Sequence, residues 1–191
     1  MRIPLDQVRR DYLALRGESP ELLPELAPGE ESPVLTLSEA LRVRLLDAAQ
    51  RATLATSPLL LDEIASAADL TLLVGAGAFA IARLPSDYLK LHTLRMKDWA
   101  EPLLAAEPAD SLRARLGSDA PGWMVCRHRP MVVEARDTEG LYLKIYGSRK
   151  LDTAAELLYV PRPRIEGDEI VISEAAYQEM LKNLADDDHH G

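Results

Sequence analysis

The sequence predicts an α+β fold in which N-terminal helices, arranged as a helical hairpin, precede an antiparallel β-rich region, and a short C-terminal helix closes the chain. Three observations lead to this prediction. Apolar residues recur at helical spacing before residue 68, strand-like alternation and short apolar runs follow up to residue 172, and helical spacing then returns. Because the strands follow one another without intervening helices, a doubly wound parallel sheet is not expected.

The first 35 residues divide into a helix and an arm. Residues 1–17 carry one apolar stripe at steps of three and four, which ends at a glycine. Residues 18–35 contain five glutamates and four prolines. Since proline donates no backbone hydrogen bond and the glutamates favour solvent, the sequence predicts a solvated, extended arm there, which Leu22, Leu23 and Leu26 could anchor to a neighbouring surface.

Residues 36–185 are expected to form one α+β domain. Its parts are a helical hairpin over 38–68, a β-rich region over 70–172 and a closing helix over 173–185. The second helix of the hairpin is expected over 60–68, and Ser173 is expected to cap the closing helix. The tail 186–191 holds three aspartates and two histidines without an apolar anchor, so it is predicted to be disordered.

Turn signals separate the strand-like segments. Gly75-Ala76-Gly77 predicts a tight turn between strands at 71–74 and 79–83, and the run 137–140 predicts a hairpin turn. In the strand 88–96, alternation places Leu89, Leu91, Thr93 and Arg95 on one face. The other expected elements are a helical turn at 111–116 and strands at 123–125, 130–135, 141–146, 157–160 and 169–172.

Charge and cysteine content exclude several classes of protein. The chain has a net charge of −9, which argues against a surface that binds nucleic acid by neutralising phosphates, and its one cysteine rules out an intramolecular disulfide. No apolar run approaches the ~20 residues of a membrane span, and the N-terminus lacks the apolar region of a signal peptide. A soluble, cytosolic protein is expected.

Three short patterns could carry chemistry, and each has a simpler interpretation. The glycine turn 75–77 resembles the start of a dinucleotide-binding fingerprint, but the chain continues as a strand instead of a helix. Cys126 and His128 could act as nucleophile and base, although a lone cysteine is more often a buried apolar residue. His189 and His190 could bind a metal ion only loosely, since the tail offers no rigid ligand set. We expect neither an enzyme nor a cofactor.

Basic residues gather in the second half of the chain. If their strands are neighbours, they form a positive patch that would meet an acidic face of the next subunit in a homo-oligomer; otherwise they are a scattered, solvated surface. The residues are Arg127, Arg129, Lys144, Arg149, Lys150, Arg162 and Arg164.

One segment resembles part of a known protein family. Residues 84–99 read Leu-Pro-Ser-Asp-Tyr-Leu-Lys-Leu-His-Thr-Leu-Arg-Met-Lys-Asp-Trp, and further along a strand with tyrosine and proline leads into the last helix. This order resembles the Leu-Pro-x-Asp-aromatic-Leu-basic-Leu segment, the β-rich portion and the final helix of head-to-tail connector and tail-adaptor (tail-completion) proteins of tailed bacteriophages and prophages. The motif and interface candidates are Leu84, Pro85, Asp87, Tyr88, Leu89, Trp99, Tyr159, Pro161, Arg162, Arg127 and Arg129.

The resemblance implies a non-enzymatic structural protein that assembles as a ring of identical subunits between portal and tail. Its partners would be other copies of itself and the portal and tail proteins. DNA would at most pass through the ring, without sequence-specific binding, and no membrane would be involved. Such a protein is cytoplasmic until it joins the virion at the head-to-tail junction. The main alternative is a cytoplasmic adaptor, unrelated to phages, that binds a protein or peptide; an enzyme that uses Cys126 and His128 is a weaker one.

Overall fold

The computed structural model describes residues 1–17, 39–67, 72–74, 79–119, 128–148 and 156–189 of the chain. The fold is α+β, as predicted, with a helix near the N-terminus, mostly antiparallel strands in the middle and a C-terminal helix. The helices are α1 (Leu5–Leu15), α2 (Glu39–Ala55), α3 (Leu112–Asp119) and α4 (Glu174–His189). The strands are β1 (Arg2–Pro4), β2 (Ala65–Ser66), β3 (Leu72–Val74), β4 (Phe79–Arg83), β5 (Tyr88–Arg95), β6 (Glu107–Pro108), β7 (Met131–Asp137), β8 (Gly140–Tyr146), β9 (Glu156–Pro161), β10 (Arg164–Glu166) and β11 (Glu169–Val171).

The chain divides into two compact units. The terminal unit contains Met1–Glu63 and Arg162–Gly191, and the central unit contains Ile64–Pro161. The single domain expected over 36–185 is therefore shared between two units. The physical reason is long-range strand pairing: β1 pairs antiparallel with β11, which joins the first residues of the chain to the segment before the last helix.

Three helices and a three-stranded antiparallel sheet, in the order β1-β11-β10, make up the described part of the terminal unit. Helix α4 contacts both α1 and α2. The packing face of α2 consists of small side chains, since Ala48, Ala49 and Ala52 are fully buried, and this allows a close approach between helices. Against α1, the hydroxyl of Tyr177 on α4 donates to Asp11 Oδ2 at 2.6 Å.

The second helix of the predicted hairpin is absent. After α2 the described chain makes a single 3₁₀ turn at Pro58–Leu60 and then runs extended into β2. Helix α2 has α4 as its helical partner instead. Leu61, at φ −93° and ψ 122°, is extended and buried, so this segment is held by one apolar anchor and by polar contacts rather than by a helical stripe.

Those polar contacts join residues 62–63 to the start of α4. Ser173 directly precedes the helix, as predicted, but its Oγ accepts the N–H of Glu63 at 3.0 Å. Burial raises the pKa of the Asp62 carboxyl, yet hydrogen bonds from the Ser173 hydroxyl and from the backbone of Asp62 and Glu174, with the positive N-terminus, bring that pKa below its ordinary value. Asp62 therefore caps α4 from a distant segment.

The closing helix is longer than predicted. It continues to His189, so the expected disordered tail at 186–191 is helical as far as the structure describes it. Neither glycine nor proline occurs between Gly167 and Gly191. The polar composition of the tail led to the prediction that the helix ends at residue 185. No glycine or proline is present there to stop it.

Two sheets form the central unit. One has the order β2-β9-β5 and the other β3-β4-β8-β7-β6, and all pairs are antiparallel except β6 with β7. Residues of both sheets share one apolar cluster, so the main core lies between them. The predicted turn at 137–140 is confirmed: Asp137 pairs with Gly140, and Asp137 Oδ1 accepts the N–H of Glu139 at 2.9 Å.

Strand β5 does not follow the predicted alternation. Tyr88, Leu91 and Leu94 are its buried residues, at steps of three. The ladder with β9 shifts register between Tyr88 and Lys90 and again between Leu91 and Thr93. Each irregularity changes which side chains face the core, so alternation over the whole strand could not hold.

A second, smaller cluster covers the other face of the five-stranded sheet. Met131, Val133 and Tyr146 are buried there together with Ala114 of α3, and Phe79 packs against them. The helical turn predicted at 111–116 is thus found as α3, which uses one alanine to cover one end of this face. The arm 18–35, the glycine turn 75–77 and the strand predicted at 123–125 lie outside the described residues.

Candidate functional site

The segment that carries the family resemblance begins with a turn between β4 and β5. Tyr88 N–H donates to the carbonyl of Pro85 at 3.1 Å, which closes the turn. The ring of Tyr88 is then fully buried in the main core, and its hydroxyl donates to Glu134 Oε2 on β7 at 3.1 Å. A single side chain therefore links the turn, β5 and the neighbouring sheet.

The second resembling segment meets this turn. On β9, the hydroxyl of Tyr159 donates to Asp87 Oδ1 at 2.9 Å, and the Tyr88 and Tyr159 rings lie 5.8 Å apart between centroids. Pro161 is the register partner of Tyr88. Four of the predicted motif residues, far apart in sequence, are thus brought together.

Both tyrosine hydroxyls are held in their protonated form. Burial, followed by the charge of Glu134 and the hydrogen bond to it, raises the pKa of Tyr88 well above its ordinary value. Burial, with the hydrogen bond and charge of Asp87, raises the pKa of Tyr159 to about 12. A tyrosine of such pKa donates hydrogen bonds near neutral pH and does not act as a base, so this cluster stabilises the fold of the turn.

Trp99 closes the resembling segment and is buried in the same core. Its Nε1–H donates to the carbonyl of Gly147 at 3.2 Å. Beside it, Ser148 donates to Asp98 Oδ1 at 2.6 Å. These two bonds hold the end of the segment against the residues that follow β8.

The remaining motif residues vary in exposure. Leu84 and Pro85 are half-buried, and Leu84 packs against the main core. Leu89 is half-buried as well, whereas Arg162, which follows β9 in sequence, is exposed. Most of the sequence motif is therefore packing and turn chemistry, and little of it is accessible to a partner.

The expected basic patch stays a prediction. Arg127, Arg149 and Lys150 lie outside the described residues, Arg162 and Arg164 belong to the terminal unit, and Arg129 and Lys144 belong to the central unit. Arg164 is engaged by Glu166 at 2.6 Å.

The candidates for chemistry gain little from the structure. Cys126 lies outside the described residues, and His128 is exposed. Strands β3 and β4, on either side of the glycine turn 75–77, pair with each other antiparallel, which is a hairpin arrangement and not the strand-to-helix arrangement of a dinucleotide site. The side chains of His189 and His190 are not described.

Sequence reasoning did not single out Glu134. It is the half-buried acceptor for Tyr88 and sits on the core side of β7. The sequence could have identified it, because a carboxylate at an inward-facing strand position needs a hydrogen-bond donor. The cation–ring contacts on the outer face of the same sheet, formed by Arg83 and Lys144, were also not predicted.

Exposed leucines mark surfaces that could contact a partner. In the terminal unit Leu59 and Leu60 are adjacent and 70% and 65% exposed. In the central unit Leu73 and Leu112 are 52% and 70% exposed. Adjacent, strongly exposed leucines bury little area within the chain and are available for burial in an interface.

No helix in the described part of the chain is long and apolar enough to cross a membrane. Neither the known protein-family models nor the curated protein sequences contain a match to this chain.

Proposed function

We propose that the protein is a non-enzymatic structural protein of a tailed phage or prophage, a head-to-tail connector or adaptor that assembles as a ring between portal and tail. One observation carries the proposal. The two segments on which the family resemblance rests are separate in sequence, yet Asp87 and Tyr88 of one contact Tyr159 and Pro161 of the other. Residues that contact one another form one structural unit, which supports the resemblance better than the same residue types scattered through a fold.

Assembly needs a surface that the isolated chain leaves open, and the adjacent leucines Leu59 and Leu60 supply one. Burying one leucine side chain contributes about 2 kcal/mol, which is roughly 30-fold in an association constant. The pair is large enough to decide whether subunits associate. Because both side chains are strongly exposed, replacing them leaves the fold of the terminal unit intact.

The test is the assembly state of the purified chain, alone and with portal rings produced from the same genome. Sedimentation velocity over a range of concentrations and negative-stain electron microscopy should reveal ring-shaped particles, free or bound to the portal. The double variant Leu59→Ser/Leu60→Ser should lose them. Leu104→Ser, which changes a 43% exposed leucine of the central unit that belongs to none of these candidate surfaces, is the control and should assemble normally.

A chain that stays monomeric at its highest attainable concentration, and that does not associate with portal rings, contradicts the connector proposal. That result favours the adaptor alternative, in which a single copy binds a protein or peptide.

A further inference from the structure

The outer face of the five-stranded sheet has a covered end and an open end. Phe79 and Tyr146 are register partners with ring centroids 5.4 Å apart, and the buried Ala114 of α3 covers this end. The neighbouring row on the same face contains Leu73, which pairs with Ile81, and Lys144, which pairs with Ile81 from the other side. Leu73 is half-exposed. We call Leu73, Ile81, Lys144 and Tyr142 the open face.

Lys144 is the cation that the open face offers to a ligand. Its Nζ lies 5.9 Å from the ring centroids of both Phe79 and Tyr142. Among the described residues, no carboxylate makes a salt bridge with this ammonium group. Arg83, by contrast, stacks 5.2 Å from the Tyr142 ring and is already engaged by Asp137 at 2.7 Å and Glu139 at 2.6 Å.

A face of this composition suits an extended peptide that combines proline with acidic residues. Aromatic rings on a shallow surface bind prolines of a preformed polyproline II segment at low entropic cost. A lysine among the rings adds attraction for a carboxylate, and the half-exposed leucine adds an apolar contact. Asp137 and Glu139, beside Arg83, would repel acidic residues from that edge and direct them towards Lys144.

The chain itself contains such a peptide. Its arm reads Pro20-Glu21-Leu22-Leu23 and then Pro24-Glu25-Leu26-Ala27, followed by Pro28, so a Pro-Glu-Leu unit occurs twice in tandem. Residues 18–38 connect α1 to α2 and could project, with both ends tethered, as far as about 35 Å. That reach is sufficient for a neighbouring subunit in an assembly.

We propose that the Pro-Glu-Leu arm of one copy docks on the open face of a neighbouring copy, with Glu21 or Glu25 paired to Lys144 and prolines against Tyr142. This contact rests on the proposed function, since it would join subunits within the ring in addition to the surface around Leu59 and Leu60. Two tandem units give the arm two equivalent registers on one face.

The first experiment measures docking without assembly. A fluorescein-labelled peptide of residues 18–33 is titrated with full-length protein whose own arm is neutralised by Glu21→Gln and Glu25→Gln, and binding is followed by fluorescence anisotropy. Adding Lys144→Glu to that protein should weaken binding about tenfold, because an ion pair worth up to about fivefold becomes a repulsion. Lys97→Glu, an exposed lysine of the same unit, should change it less than twofold.

A charge-reversed peptide shows whether weak binding by the Lys144→Glu protein comes from the changed charge or from misfolding. The peptide with Glu21→Lys and Glu25→Lys should bind the Lys144→Glu protein better than the wild-type peptide does. If the wild-type peptide does not bind, or if it binds the Lys144→Glu and Lys97→Glu proteins equally well, the docking proposal is overturned, whatever the assembly state.

The second experiment distinguishes neighbouring copies from contact within one chain. Full-length Lys144→Glu and full-length Glu21→Lys/Glu25→Lys should each assemble poorly alone and recover when mixed, because every arm then finds a face of opposite charge. Recovery only in the chain that carries all three changes would place the contact within one copy and overturn the proposal. If none of these changes affects ring assembly, the docking proposal is overturned and the connector function is not. If the peptide binds but no form of the chain assembles, the connector function is contradicted and the docking is not.

Discussion

Removing the Tyr88 hydroxyl tests whether the turn before β5 is held by its link to β7. Tyr88→Phe keeps the buried ring and its contact with Tyr159 but deletes the 3.1 Å hydrogen bond to Glu134. A hydrogen bond to a charged group contributes about 1.5–3 kcal/mol, and here its loss leaves a half-buried carboxylate without this donor. We expect the free energy of unfolding of the central unit to fall by about 2 kcal/mol.

The assay is urea unfolding followed by the fluorescence of Trp99, which lies in the same core as Tyr88. A Trp123→Phe background removes the second tryptophan signal. Because the central unit is in the size range where 1 kcal/mol shifts the melting temperature by about 4–8 °C, a thermal melt should show a drop of roughly 10 °C. Tyr142→Phe, which alters a half-exposed tyrosine on the opposite face of the sheet, should change stability by less than ~0.5 kcal/mol.

A double-mutant cycle with Glu134→Gln isolates the interaction. If the bond is the cause, the two changes together should destabilise less than the sum of the single effects, by about 1 kcal/mol. A Tyr88→Phe protein as stable as the parent, or strictly additive effects of the two changes, would refute the reasoning, since the tyrosine would then act only as an apolar side chain.

Three further predictions concern other parts of the fold. Since the pKa of Tyr159 is raised from 10.0 to about 12, the stability that its hydroxyl contributes is complete below pH 10 and is lost as the pH rises through 12. Urea unfolding across this range should show a shallower decline in Tyr159→Phe than in the parent, and equal slopes would contradict the prediction. Gly140 has φ +127° with no atom near an added Cβ, so Gly140→Ala should lower the free energy of unfolding by about 1–3 kcal/mol through backbone strain alone. At Gly167, with φ +62°, asparagine is better tolerated, so Gly167→Asn should lower it less than Gly140→Asn does in chemical denaturation. Ala49 is fully buried on α2, which packs against α4, so Ala49→Leu should destabilise the terminal unit by about 1–3 kcal/mol in thermal melts followed by circular dichroism. Val43→Leu, at a site 61% exposed on the same helix, should be nearly neutral.

Local pattern predicts elements better than it predicts their partners. The hairpin at 137–140 depends on a glycine in a four-residue turn, and the sequence identifies it because the cause is local. Residues 60–68 are rich in apolar and helix-compatible residues, yet the conformation of residues 60–67 is determined by contacts with β9 and with the start of α4. The pattern of residues within the segment carries no information about those distant partners.

The same limit explains the error in β5 and the omission of β1. Leu89 and Leu91 share a face in an ideal strand, but two register shifts against β9 place Tyr88, Leu91 and Leu94 in the core. Strand β1 has three residues and pairs only with β11 near the other end of the chain. Short strands stabilised by a remote partner carry almost no signal of their own.

In the candidate site, the residues of the sequence motif are not the residues of the proposed interaction surfaces. Asp87, Tyr88, Tyr159 and Trp99 are recognisable because each makes a specific buried or half-buried contact, and such contacts restrict residue type. The motif therefore reports on the scaffold of the central unit and not on a binding surface. The proposed interfaces use the side chains of Leu59, Leu60 and Lys144, whose residue types the fold does not restrict. For this reason the decisive variants of the proposed assembly lie on those exposed positions, and the motif variants serve to test the scaffold that presents them.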